Sequence, residues 1–136
     1  MTNPQVLIVE DEPHMLRLTE LSLRKGGFEI LIARNGIEAL GLAGSKNPAL
    51  IVMDVLMPEM DGLTALKHLK TSPATAPIPV IMLTTRGHNL TRQEAETAGA
   101  EAYLTKPFSP TQLLVEARRL IEKHRATDAP GGQDGA

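Results

Sequence analysis

The stretch Ala49-Leu50-Ile51-Val52-Met53-Asp54-Val55-Leu56-Met57-Pro58-Glu59-Met60-Asp61-Gly62 decides how the rest of the chain is read. Ala49 to Met53 is apolar throughout with no polar alternation, the pattern of a strand covered on both faces. It stops on a carboxylate, Asp54, and Pro58 and Gly62 then mark a turn before the next helix. A short strand of this kind belongs to a parallel sheet, so the flanking sequence should alternate between helices and similar runs.

It does. Toward the amino terminus, Val6 to Val9 is a second continuous apolar run, halted by Glu10-Asp11-Glu12-Pro13. Pro13 suits a first helical turn, Leu16, Leu21 and Leu23 supply an apolar stripe, and Gly26-Gly27 closes the pattern where a left-handed cap costs little. Phe28 to Ile32 predicts another strand, and Asn35 caps a helix carrying Ile37, Leu40 and Leu42 that ends over Gly44 to Pro48. Beyond Gly62 the pattern predicts a helix to Lys70, a strand over Pro79 to Leu83 and a helix over Asn89 to Ala98. A strand over Ala102 to Leu104 follows, then a last helix opened by Ser109-Pro110 and reaching about His124. Five strands and five helices in alternation imply a parallel sheet in a three-layer α/β/α sandwich, since parallel neighbours need right-handed crossovers. Residues 1–125 form one domain on this reading. Residues 126–136 turn to Ala, Asp, Gly, Pro and Gln without apolar periodicity, and a disordered tail is expected there.

Bulk properties exclude several classes. A chain of 136 residues with 42% hydrophobic content can bury a core but leaves no room for a second domain. Its 14 basic and 16 acidic residues give a net charge of -2, with no footprint for direct nucleic-acid binding. The absence of cysteine excludes thiol catalysis and thiolate metal sites. No apolar run approaches membrane-spanning length, and no signal peptide pattern opens the chain, so a cytoplasmic location is expected.

In an open α/β sheet, ligands bind beyond the carboxyl ends of the strands. Those ends read Glu10-Asp11, Asp54, Thr84 and Thr105-Lys106-Pro107. Two carboxylates a few ångströms apart repel unless a cation lies between them, and an oxygen-only donor set suits Mg2+. Asp54 could then attack phosphorus as a carboxylate nucleophile, with Lys106 pairing a phosphate oxygen and the Thr84 hydroxyl donating to another.

Four motifs carry a resemblance. Leu7-Ile8-Val9-Glu10-Asp11-Glu12-Pro13, Met53-Asp54-Val55-Leu56-Met57-Pro58-Glu59-Met60-Asp61-Gly62, Ile81-Met82-Leu83-Thr84-Thr85 and Tyr103-Leu104-Thr105-Lys106-Pro107-Phe108 resemble the response-regulator receiver domain over residues 5 to about 124. The resemblance implies a flavodoxin-like, doubly wound strand order of 2-1-3-4-5. It also implies that Asp54 accepts a phosphoryl group from a phosphohistidine on a sensor kinase or histidine phosphotransfer protein. Mg2+ would be held by Asp11, Asp54 and the backbone carbonyl of Leu56, with Glu10 acting through water. Lys106 and Thr84 would bind the phosphate, and Lys106-Pro107 would be a cis peptide. Thr84 and Tyr103 would form the switch that changes the face of helix four, strand five and helix five for a protein partner. Whether the phosphorylated form pairs with a second copy through that face stays open.

Departures from family usage bear on lifetime. Leu56 cannot hydrogen-bond an attacking water, and Arg86 is placed to cover the phosphate, so slow self-dephosphorylation is expected. Leu56 also argues against an aspartate-nucleophile phosphohydrolase, which wants a second Asp at that position. The chain should therefore be no enzyme toward external substrates. Other residues read as structural: Pro58 and Gly62 as turn formers, the histidines at 14, 68, 88 and 124 as surface groups, and most methionines as core filling. Glu12 reads as a solvated acid.

Overall fold

The computed structural model describes residues 3–57, 59–85, 92–106 and 108–128. Five strands, β1 (Gln5–Val9), β2 (Glu29–Ala33), β3 (Leu50–Asp54), β4 (Val80–Thr85) and β5 (Ala102–Lys106), alternate with five helices. The helices are α1 (Pro13–Lys25), α2 (Gly36–Lys46), α3 (Gly62–Thr71), α4 (Arg92–Thr97) and α5 (Pro110–Asp128). All strand pairs are parallel, in the order β2-β1-β3-β4-β5, as expected of a doubly wound sheet.

Strand pleating divides the core into two layers. Leu7, Val9, Ile51, Met53, Val80 and Met82 face one way and pack with Ala39, Ala43, Ala65, Leu66 and Leu69 of α2 and α3. Val6, Ile8, Leu50, Val52, Ile81 and Leu83 face the other way, toward Leu16 and Leu23 of α1 and Leu113, Ala117 and Leu120 of α5. Residues 50–54 are all buried, which is why β3 shows no alternation in sequence.

Local signals explain most helix ends. Pro13 is the first residue of α1, Asn35 Oδ1 accepts from Glu38 N at 2.9 Å, and Ser109 Oγ accepts from Gln112 N at 3.3 Å. Gly27, at φ 88°, takes the left-handed turn after α1.

Three expectations need correction. Leu21 is 50% exposed, and the buried stripe of α1 is Leu16, Thr19, Ser22 and Leu23 instead. The two hydroxyls are compatible with burial because Thr19 donates to Met15 O and Ser22 to Leu18 O, both at 2.8 Å. Ile37 is likewise exposed, at 57%, and small Ala39 and Ala43 let α2 lie close on the sheet. The last helix continues past His124 to Asp128, within the segment expected to be tail; residues 129–136 lie outside the described residues. So do Asn89 and the expected start of α4.

Candidate functional site

The strand ends form one rim, and register determines who meets there. Asp54 lies beside Leu83, Thr84 beside Thr105, and Thr85 beside Lys106. By alternation, Asp54 continues the row of Leu50 and Val52, Glu10 that of Val6 and Ile8, and Lys106 that of Ala102 and Leu104. All three belong to the α1 and α5 side of the sheet. Thr84 follows Val80 and Met82 on the other side, where Tyr103 also packs, half-buried.

Three polar residues of the rim are almost enclosed: Glu10 is 1% exposed, Asp54 4% and Thr84 3%. Asp11 is open to solvent. The Lys106 ammonium donates to Glu10 Oε1 at 2.9 Å and lies 3.2 Å from Asp54 Oδ1. The second approach compensates charge without a directed bond. Among the described residues, Asp54 Oδ1 and Thr84 Oγ1 are the buried side-chain atoms that lack a hydrogen-bond partner. Orphaned buried polar atoms cost stability, and their presence at a charged rim points to a ligand.

The other Glu10 oxygen, Oε2, accepts from the backbone N–H of Glu12 at 3.2 Å. Burial pushes the Glu10 carboxyl above its usual range, the Lys106 hydrogen bond opposes that rise, and the Asp54 charge adds to it. Glu12 is more than a solvated acid: its Oε1 accepts from Met15 N at 2.7 Å and caps α1, which holds its carboxyl below the usual range. Glutamate is not among the favoured N-cap residues, so composition gave no sign of this.

Glu10, Asp11 and Asp54 each present one oxygen within 4.8 Å of the others. Three carboxylates against one ammonium leave negative charge in excess, and a donor set of oxygens alone fits the magnesium site of a receiver. Gly62 is part of this architecture. A Cβ there would fall on the Asp54 carbonyl oxygen and come within 2.9 Å of Val55 Cα, so the helix start and the Asp54 backbone meet only because position 62 has no side chain. Reading Gly62 as a turn former alone understates it.

Leu56 is half exposed at the rim. Arg86, Pro58, His88 and the Lys106-Pro107 peptide bond involve positions outside the described residues. Met53 and Met82 are fully buried, Met15, Met57 and Met60 are partly so, and His14 and His68 are exposed, as expected.

This fold and rim define a receiver, and the chain belongs to the response regulator receiver domain family, whose model matches residues 6–118. It is thus a receiver domain of the two-component, phosphorylation-switch class, a family that takes phosphate from histidine kinases and does not in general act on external substrates.

It is 38% identical over 123 residues to the transcriptional regulatory protein SrrA of Staphylococcus aureus, covering 90% of this chain and 50% of that one. The chain therefore spans about half the length of the curated relatives it matches. Among solved structures, chemotaxis response regulator CheY4 of Vibrio cholerae superposes with a TM-score of 0.79 at 33% identity, over 88% of this chain and 99% of that one. The receiver domain of sensor histidine kinase PA1611 from Pseudomonas aeruginosa, solved with magnesium in its active-site cleft, gives 0.82 at 29% identity over 89% and 99%. No helix among the described residues is long and apolar enough to cross a membrane.

Proposed function

We propose that Asp54 is the phosphoacceptor of a signalling switch charged by a phosphohistidine on a sensor kinase or histidine phosphotransfer protein. The observation that carries this reading is Asp54 Oδ1: buried, without a hydrogen bond among the described residues, and 3.2 Å from the Lys106 ammonium. An oxygen lone pair of Asp54 forms the O–P bond as the P–N bond breaks. The departing electron pair goes to the imidazole nitrogen, which takes a proton.

Asp11, Asp54 and the Leu56 carbonyl would hold Mg2+, with Glu10 acting through water. The ion supplies neutralisation of the phosphoryl oxygens. Lys106, already at the rim, pairs one phosphate oxygen, and the orphaned Thr84 hydroxyl donates to another. Meeting this phosphate favours an inward position of Thr84, and Tyr103, on the same side of the sheet, follows. The altered face of α4, β5 and α5 then engages a downstream protein in the cytoplasm, or a second copy of the chain.

With no polar side chain at Leu56 to orient water, and with Arg86 expected from the sequence to cover the phosphate, the acyl phosphate should decay slowly. The same Leu56 disfavours a phosphohydrolase. Incubation with acetyl phosphate, or with a beryllium fluoride complex, tests the reading. With acetyl phosphate, wild type should gain one phosphoryl group by intact mass only with Mg2+ present, and Asp54→Asn should gain none; with the beryllium fluoride complex the readout is a spectral change in wild type only. No gain in wild type refutes the assignment, and loss of the phosphoryl group within seconds refutes the slow decay.

A further inference from the structure

The two edges of the sheet are finished differently. At one, β5 carries an exposed Thr105 and the charged Lys106, and α4 packs beside it. At the other, β2 presents Ile30, Leu31 and Ile32 in succession, each half-buried. Leu31 lies on the α2 side of the sheet and the two isoleucines on the α1 side. Natural edge strands are blunted by lysine, proline or a bulge, and none of these interrupts β2 between Glu29 and Arg34. The backbone is equally open. Glu29 N donates to Pro4 O and Ala33 O accepts from Glu10 N, both toward β1, so strand alternation turns the N–H and C=O of Ile30 and Ile32 outward. Those groups have no strand partner among the described residues. On either side of them the outward donors are taken, Phe28 N by Leu23 O and Arg34 N by Glu38 Oε1.

We infer that β2 is a docking edge for a second copy of this chain, joined antiparallel about a twofold axis with Ile30 opposite Ile32 and Leu31 opposite Leu31. Directly opposed residues share a face of the sheet, so a twofold axis admits only registers that pair residues of like parity. Among these, Ile30 against Ile32 lets every outward group of one copy bond one of the other. Ile30 against Ile30, or Ile32 against Ile32, would instead set a free group against the occupied N–H of Phe28 or Arg34. The side chains agree with that register. The isoleucines of both copies would form one apolar patch on the α1 side, and the leucines would meet across the axis on the α2 side. This self-match favours a second copy over an unrelated strand. Because β5 lies at the far edge of the sheet, the pairing leaves the α4, β5 and α5 face uncovered and does not depend on phosphorylation.

The chain contains no cysteine, which makes the register testable by single substitutions. In Leu31→Cys the two thiols would sit on directly opposed residues whose Cα atoms are about 4.5 Å apart, a separation that a disulfide spans. In Ile30→Cys the two copies of position 30 would be offset along the ladder to about 8 Å, which is too far. Under mild oxidation by copper phenanthroline, Leu31→Cys should form a covalent dimer about tenfold faster than Ile30→Cys.

Sedimentation of wild type up to about 1 mM, the range of small transient interfaces, should show monomer passing into dimer. Asp54→Asn should behave the same, as should wild type with the beryllium fluoride complex. Ile30→Pro removes one outward donor from each copy at a position where an edge strand tolerates proline. It should weaken association about tenfold while keeping the wild-type far-ultraviolet circular dichroism. Ile32→Lys, which charges the edge as natural edges do, should give the same loss and serves if Ile30→Pro does not fold. A wild type that stays monomeric overturns the inference, as does a dimer undiminished in the folded variants or equal cross-linking at positions 30 and 31. Association that appears only with the beryllium fluoride complex also overturns it, since that would place the contact on the switch face.

Discussion

At the amino edge of the sheet, Lys70 from the end of α3 donates to Ala76 O at 3.1 Å, Ile78 O at 2.8 Å and Glu101 Oε2 at 3.0 Å. At the carboxyl edge, Lys106 meets Glu10 and Asp54 at 2.9 and 3.2 Å. Both ends of the same strands thus hold a lysine against glutamate, and the pairs differ in saturation. Lys70 uses all three donors, and Glu101 Oε1 accepts from the first backbone N–H of β4, Val80 N, at 2.7 Å. Around Lys106, Asp54 Oδ1 and Thr84 Oγ1 have no hydrogen-bond partner among the described residues. The first constellation is complete in itself and fastens the loop before β4 to the start of β5. The second is complete only with something added, which is the difference between a structural charge pair and a reactive one.

Breaking the carboxyl-edge pair should have the larger effect. Lys106→Met leaves two buried acids facing each other, and removing one partner of a buried pair costs about 3 kcal/mol. Chemical denaturation should show that loss in metal-free buffer and its partial recovery as Mg2+ is titrated in, because a cation bound only to the folded state restores charge balance.

Lys70→Met unpairs two backbone carbonyls and should cost about 1.5 kcal/mol. Its loss should not depend on Mg2+, and phosphorylation by acetyl phosphate should proceed at the wild-type rate. A stability difference between Lys70→Met and wild type that changes with Mg2+ would dissolve the contrast between the two edges. The smallest effect belongs to Glu101→Gln, which keeps an acceptor for Val80 N and loses only a half-exposed ion pair worth about 0.5 kcal/mol. Adding salt to wild type should remove most of that difference.

The carboxyl edge was legible in the sequence because burial and chemistry change abruptly there. Apolar runs such as Val6 to Val9 and Leu50 to Met53 stop on charged residues, and parallel strands bring their ends together whatever the loops do. The meeting of Glu10, Asp54, Thr84 and Lys106 follows from that, whereas the strand order came from the resemblance of the four motifs to the receiver family. The amino edge was not legible. Lys70 and Glu101 are 31 positions apart and resemble any surface charges until the loop before β4 folds back. Helix faces were read less well than strands, since Thr19 and Ser22 bury hydroxyls by bonding carbonyls one turn back while Leu21 points outward. The role of Glu12 as a cap depends on where the chain turns, which composition does not reveal.

Gly62 carries a consequence of a different kind. The rim is defined by functional groups, but the placement of Asp54 is defined by a missing atom: there is no room at position 62 for even one methyl group against the carbonyl of Asp54. A residue with nothing to contribute to the chemistry is thereby as restricted as Asp54 itself, and an inventory of reactive groups would pass over it. The accuracy of the Asp54 placement is gauged by empty space, in the way a fitted joint is gauged by clearance rather than by glue.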